Sequence, residues 1–146
     1  MYVDPRGPRF AAAVTTVVLA AVLVTGSGWL LVAQAVVFAI GAVAGLRWAP
    51  YGVVFRLAVR PRLSPPPELE AEAPPRFAQA VGLVFAVAGA AGYLTGVTAL
   101  GVVATAIALM AAFLNAAFDL CLGCEVHVRL VRLLGRPVVR YVPRTP

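Results

Sequence analysis

Charge is what this chain has least of. Only 12% of its 146 residues are charged, about half the share that a soluble domain carries, so there is too little polar surface to cover a fold in water. Lysine is missing altogether, and all twelve basic residues are arginines. No charged residue occurs over the 37 positions from Phe10 to Leu46, nor over the 42 from Phe77 to Phe118. Among the polar groups within those runs, Thr15, Thr16, Gln34, Gln79 and Thr105 cannot ionise, which argues against a proton or ion relay at the membrane midplane. Other absences exclude more. The runs lack the alternation of a membrane β-barrel. A second apolar segment begins at Trp29, directly after the first, which argues against a signal peptide. The net charge of +6 comes without an aromatic-interleaved basic surface, so nucleic acid is not an expected partner. No signature of a hydrolase, a nucleotide-dependent enzyme or a bound cofactor is present.

Apolar residues fill the gap. They make up 62% of the chain, and the mean hydropathy is +0.92. A helix crossing a bilayer needs roughly 20 apolar residues, so each uncharged run has room for two. Thr25-Gly26-Ser27-Gly28 divides the first run and Tyr93-Leu94-Thr95-Gly96 the second. The expectation is an all-α, four-transmembrane-helix bundle of two helical hairpins. A single membrane domain over 1–146 would span at about 10–25, 29–46, 77–94 and 97–119. A proline-rich linker, 60–75, should run extended, because proline removes backbone donors and blocks helix. Its Glu68, Glu70 and Glu72 read as exposed partners for nearby arginines, worth little to stability. Residues 120–146 form an amphipathic or basic tail, irregular from Pro137 onward.

Orientation follows from the arginines. They cluster before the first span, between the hairpins and after the fourth span, and the short turns carry none. Helix parity puts all three clusters on one side, which the positive-inside rule makes cytoplasmic. The expected location is the inner (plasma) membrane, multi-pass, with both termini cytoplasmic and the arginines also touching anionic head groups. Trp29, and Trp48 with Tyr51, read as interfacial anchors. Gly41 with Gly45, and Ala104, Ala108, Ala112 and Ala116, read as small-residue faces for close helix packing. Homo-oligomerisation stays open.

Pro8-Arg9-Phe10-Ala11-Ala12-Ala13-Val14 recurs as Pro75-Arg76-Phe77-Ala78-Gln79-Ala80-Val81, with six identities in seven at an offset of 67. Each copy opens a hairpin. A parallel internal repeat of the kind known in transporters competes here with convergence on a good helix-entry sequence.

The only two cysteines stand three apart, in Cys121-Leu122-Gly123-Cys124, where the last apolar run ends. Asn115, Asp119, Glu125 and His127 surround them. On a continuing helix, Cys121 and Cys124 would share a face, with His127 beside Cys124. Alternatively Asp119 caps a new interfacial helix and both thiols fall in its first turn, where the dipole favours thiolate. Cytoplasmic thiols are kept reduced, so a disulfide there would be transient. One reading is a redox-active or sulfur-carrying pair, in which one thiolate attacks and the other resolves. A metal site of Cys121, Cys124 and His127 lacks an obvious fourth ligand. Covalent haem fails because no histidine directly follows Cys124. Packing or lipidation is the bland alternative.

Asp4-Pro5-Arg6-Gly7-Pro8-Arg9-Phe10-Ala11-Ala12, Pro75-Arg76-Phe77-Ala78-Gln79, and Cys121-Leu122-Gly123-Cys124-Glu125 after Asn115-Ala116-Ala117-Phe118 together resemble a family of small bacterial membrane proteins, common in actinobacteria, catalogued as domain of unknown function 4395. The resemblance runs from about Val3 to Leu134. It implies a four-helix inner-membrane protein whose cysteine pair corresponds to Cys121 and Cys124. It also implies thioredoxin-like or sulfurtransferase-type partners. Asp119 departs from the small or neutral residue expected there, which puts a catalytic role for it in doubt. The functional expectation is a cytoplasmic-face thiol redox or sulfur relay. A small-solute or sulfur-compound transporter or channel, and a scaffold without chemistry, stand as alternatives.

Overall fold

A computed structural model describes residues 1–138 and 140–143, and shows six α-helices with a small sheet at one end. Helices α1 (Arg6–Thr25), α2 (Gly28–Val43), α4 (Ala73–Leu94) and α5 (Thr98–Phe118) are the long apolar elements. Their turns fall where the sequence predicts. Gly26 ends α1 in the left-handed region, and the Ser27 hydroxyl accepts the Leu30 amide at 3.2 Å to start α2. Three of the four, α1, α4 and α5, are long and apolar enough to cross a membrane. The fourth is shorter than expected. Helix α2 has 16 residues, roughly 24 Å of rise against a hydrocarbon core of about 30 Å.

The early end of α2 has a clear cause. Gly45 sits at φ +100°, open only to glycine, and a Cβ there would lie 2.7 Å from a Glu72 carboxylate oxygen. That oxygen accepts the Leu46 amide at 2.9 Å. Gly45 is therefore a turn residue rather than half of a helix-packing pair. The chain continues through α3 (Pro50–Val54), one π turn (Phe55–Val59) and one 3-10 turn (Arg60–Arg62). Tyr51 does not serve as a surface anchor here: its hydroxyl donates to the Gln34 side-chain oxygen at 2.8 Å.

The helices are not paired as two separate hairpins. Helix α1 packs mainly on α5, α2 on α4, and α4 on α5, while α1 and α2 barely touch. The interior holds Leu19, Val22, Leu31, Phe38 and Ala86, among others. Val17, Val24, Val84, Val103 and Met110 lie on the outside, more than 40% exposed. An apolar outer surface of this extent suits lipid as solvent, and suits water poorly. The repeated motif has matching roles in the two halves. Arg9 donates to the Ala116 carbonyl (3.0 Å) near the end of α5. Arg76 donates to the Ala42 carbonyl (2.9 and 3.2 Å) and the Val43 carbonyl (2.9 Å) at the end of α2. Each arginine thus covers orphan carbonyls at the negative end of a neighbouring helix.

The fold is not all-α. Strands β1 (Tyr2–Val3), β2 (Glu68–Ala71) and β3 (Tyr141–Pro143) form an antiparallel sheet in the order β1-β2-β3. Part of the linker is thus a central strand, and part of the tail expected to be irregular is an edge strand. The three arginine-bearing segments accordingly gather at one end of the bundle. The glutamates are not uniformly exposed either: Glu70 and Glu72 are buried. Glu70 pairs with Arg140 at 3.2 Å. Burial pushes the Glu70 carboxyl above its ordinary value, against the opposing pull of Arg140.

Two expectations follow. Arg140→Ala should strand a buried carboxylate and cost about 1–3 kcal/mol near neutral pH. A carboxyl whose folded value is raised favours the fold most when protonated, so that cost should shrink as pH falls through the raised value. Thermal melting in detergent, followed by tryptophan fluorescence at neutral and acid pH, reads both. Removing the helix-end arginines should cost about 0.5–2 kcal/mol each. Arg76→Ala should be the worse of the two because it loses three hydrogen bonds against one; equal melts would count against the capping account.

Candidate functional site

The segment after α5 settles the two geometries that the sequence leaves open. The helix does not continue. It ends at Phe118, and Asp119 takes up the left-handed conformation at φ 57°. The Asp119 and Leu120 amides turn back to the Asn115 and Leu114 carbonyls, a glycine-type helix ending that aspartate tolerates better than most residues. Asp119 therefore closes α5 and does not cap the next helix. The capping residue is Cys121. Helix α6 runs Leu122–Leu133, and the Cys121 sulfur accepts the Cys124 amide at 3.3 Å.

That capping explains the cysteine pair. N-cap and N3 side chains converge on each other, as in a capping box. Here those positions carry Cys121 and Cys124, whose Cα atoms are 5.2 Å apart and whose sulfurs are joined as a disulfide. The separation lies within the ordinary disulfide range. The sequence reading expects any disulfide here to be transient; the structure holds the closed form. Both residues are buried, Cys121 at 8% exposure and Cys124 at 2%.

Helix α6 is held by close contact with α4. A Cβ on Gly123 would lie 2.7 Å from both the Cα and the Cβ of Ala78, so only glycine allows this approach. The sequence reads Gly123 as a weak helix former and misses this role, because nothing local announces a neighbour 45 positions earlier. Three stripes run along α6. Cys124 and Val128 are packed inward, Leu122, Val126, Leu130 and Leu133 form an exposed apolar stripe, and Glu125, Arg129 and Arg132 form a charged one. Spacings of three and four residues produce all three.

The remaining residues of the predicted cluster are distributed around the pair. His127 packs on Phe77 with ring centroids 5.4 Å apart, and its Nδ1 is buried without a hydrogen-bond partner. Glu125 pairs with Arg140, the same arginine that holds Glu70, so one guanidinium ties α6 to the sheet. Asn115 lines a cavity that also reaches Cys121, whereas the Asp119 side chain is exposed. Among the described residues, no three of His, Cys, Asp and Glu are gathered to hold a metal ion.

Several cavities adjoin this end of the bundle. One of about 280 Å³ lies among α1, α4, α5 and the start of α6, with Phe38 of α2 reaching it and Cys121 in its wall. Another of about 400 Å³ lies between the N-terminal segment and the α3 region, with Arg47, Arg56, Arg60 and Tyr51 among its walls. Pro8 and Gln79 border both. The sequence gives no sign of either, since each depends on which helices become neighbours.

No curated protein and no solved structure matches the sequence. A family model does, over residues 3–132, and these residues take in α1 through nearly all of α6 with both cysteines. The chain belongs to the family described as domain of unknown function (DUF4395).

Proposed function

We propose that this is a membrane protein in which the Cys121–Cys124 pair works as a reversible dithiol–disulfide, passing redox equivalents or sulfane sulfur. The observation that carries the reading is the placement of the pair: Cys121 and Cys124 sit at the N-cap and third position of α6, close enough to be joined. In the open form, the Cys124 amide and the helix N-terminus would favour a thiolate on Cys121, as they do at other reactive helix-start cysteines. The proposal includes four crossings, with the shorter α2 as the second, and a cytoplasmic placement of the arginine-rich end by the positive-inside rule. In that reducing compartment a closed pair is a working state rather than a permanent staple. A thioredoxin-like or sulfurtransferase-type protein is the proposed soluble partner. Because the pair is buried, such a partner reaches it when α6 lifts from α4.

A second reading, passage of a small solute, is favoured by one observation: the two cavities share Pro8 and Gln79 as walls. Uptake into proteoliposomes that Gln79→Leu abolishes, and that the absence of both cysteines leaves intact, would favour it over the redox reading.

The redox reading predicts that the pair in native membranes shifts between dithiol and disulfide under reductive and oxidative challenge. It also predicts that Cys124→Ser captures a partner as a mixed disulfide on Cys121. Alkylation mass shifts and non-reducing gels report both, and a pair fixed in one state with nothing captured would end the proposal. Gly123→Val places new methyl groups against the α4 backbone and should loosen α6. Maleimide labelling of the reduced pair should then rise about tenfold or more, as expected when a protected site opens locally.

A further inference from the structure

We propose that Cys121 is the sulfur at which exchange begins, and that the approximately 280 Å³ cavity beside it admits small, uncharged, lipid-soluble disulfides and thiols from the bilayer. This rests on the redox reading above and names the substrate class of that same pair. The two sulfurs have different surroundings. Cys121 stands in the cavity wall and Cys124 does not, being 2% exposed between α6 and its neighbours. A reactant in the cavity therefore meets Cys121 first. Cys121 is also the residue whose sulfur accepts the Cys124 amide at 3.3 Å, a contact that favours its thiolate once the bond is open.

The walls of the cavity select the reactant. None of its lining residues is charged. Its polar groups are Thr15, Gln79 and Asn115, set among alanines, Phe38 and Phe85. Its volume matches about nine water-sized groups, enough for a short dialkyl disulfide. Three residues that line it, Ile107, Leu122 and Val126, are also 42–48% exposed, so the rim of the cavity is apolar, and the proposal sets that rim against lipid. A charged peptide thiol such as glutathione would have to shed its hydration against walls that offer no countercharge, at high cost.

The exchange balances without any further reactant. The Cys121 thiolate attacks one sulfur of R–S–S–R, a Cys121–S–S–R bond forms, and the first RS⁻ leaves and takes up the proton that Cys121 has given up. Cys124 then loses its proton and attacks the Cys121 sulfur. The protein disulfide closes, and the second RS⁻ departs and is protonated. Two protein thiols are oxidised and one small disulfide is reduced to two thiols. The reverse sequence opens the closed form.

The test uses the full chain in lipid nanodiscs, reduced with a phosphine that is then removed. It is oxidised with dipropyl disulfide or with oxidised glutathione, and each rate is divided by the rate for the same chain unfolded in dodecyl sulfate. Trapping by alkylation and mass spectrometry reads the state. The folded chain should prefer dipropyl disulfide by about tenfold or more, because access rather than intrinsic reactivity differs. Ala112→Phe inside the cavity and Val126→Trp at its rim should each lower that preference about tenfold. Neither should change the equilibrium of the pair with dithiothreitol. Cys124→Ser should carry a propylthio group on Cys121, and Cys121→Ser should leave Cys124 unmodified. Equal or greater normalised reactivity toward oxidised glutathione overturns the cavity route, as does modification of Cys124 alone, and the redox reading survives either result. A pair that never equilibrates with dithiothreitol overturns the redox reading itself. Should either bulky variant misfold, the wild-type rate ratio and the two serine variants still decide.

Discussion

The approach of α6 to α4 is the constraint on which the cysteine site depends. Helix α6 is twelve residues long, near the length below which isolated helices are marginal in water, and it has only a narrow inward stripe to hold it. Gly123 against Ala78 brings its first turn into contact with α4, and Phe77 meets His127 one turn further on. Arg140 then fastens its outer side to the sheet through Glu125 and Glu70. Remove that approach, and the cavity loses the wall that contains Cys121. The disulfide is therefore a property of the docked helix as much as of two nearby cysteines.

The two arginines of the repeated motif act by the same kind of economy. A helix end in an apolar setting leaves carbonyls that water cannot satisfy. Arg9 and Arg76 each stand at the entry of one helix and reach the exit of another, so a single side chain serves a start and an end at once. The two tight turns differ in what they join: α1 and α2 barely touch, whereas α4 packs along α5, and the remaining large contacts are α1 with α5 and α2 with α4. The two copies of the motif share a local role at a helix end, which either a repeat or convergence on a helix-entry sequence would produce.

The same distinction explains what the sequence reveals and what it conceals. Uncharged runs and glycine-containing turns are statements about neighbours in the chain, and the turns between α1 and α2 and between α4 and α5 fall where these signals place them. The cysteines are legible as a pair for the same reason. The sheet is not, because its strands are two to four residues long. Three of its residues are glutamates or an alanine in a linker dominated by prolines, and its stability comes from pairing segments about 70 residues apart. Buried Glu70 and Glu72 follow from that pairing, and no local pattern marks them. Gly45 illustrates the same ambiguity. Its spacing from Gly41 fits a helix face, but the Glu72 carboxylate that requires its conformation lies 27 positions away.

Placing the cysteines at a helix start also resolves a conflict between burial and reactivity. Apolar burial alone raises a thiol's pKa and makes it inert, which would leave Cys121 a packing residue. The N-cap position supplies the Cys124 amide and the positive end of α6 to that sulfur. Under the proposed redox role, that backbone dipole is what would favour a thiolate on a Cys121 shielded from water once the bond is open. Such a sulfur suits a reactant that arrives without charge. In the proposed exchange a charged reactant would have to shed its own hydration against uncharged walls, a cost that an apolar disulfide would not meet. The lack of charged side chains in the cavity wall, which matches the uncharged runs of the sequence, is what would set that preference in the proposed exchange.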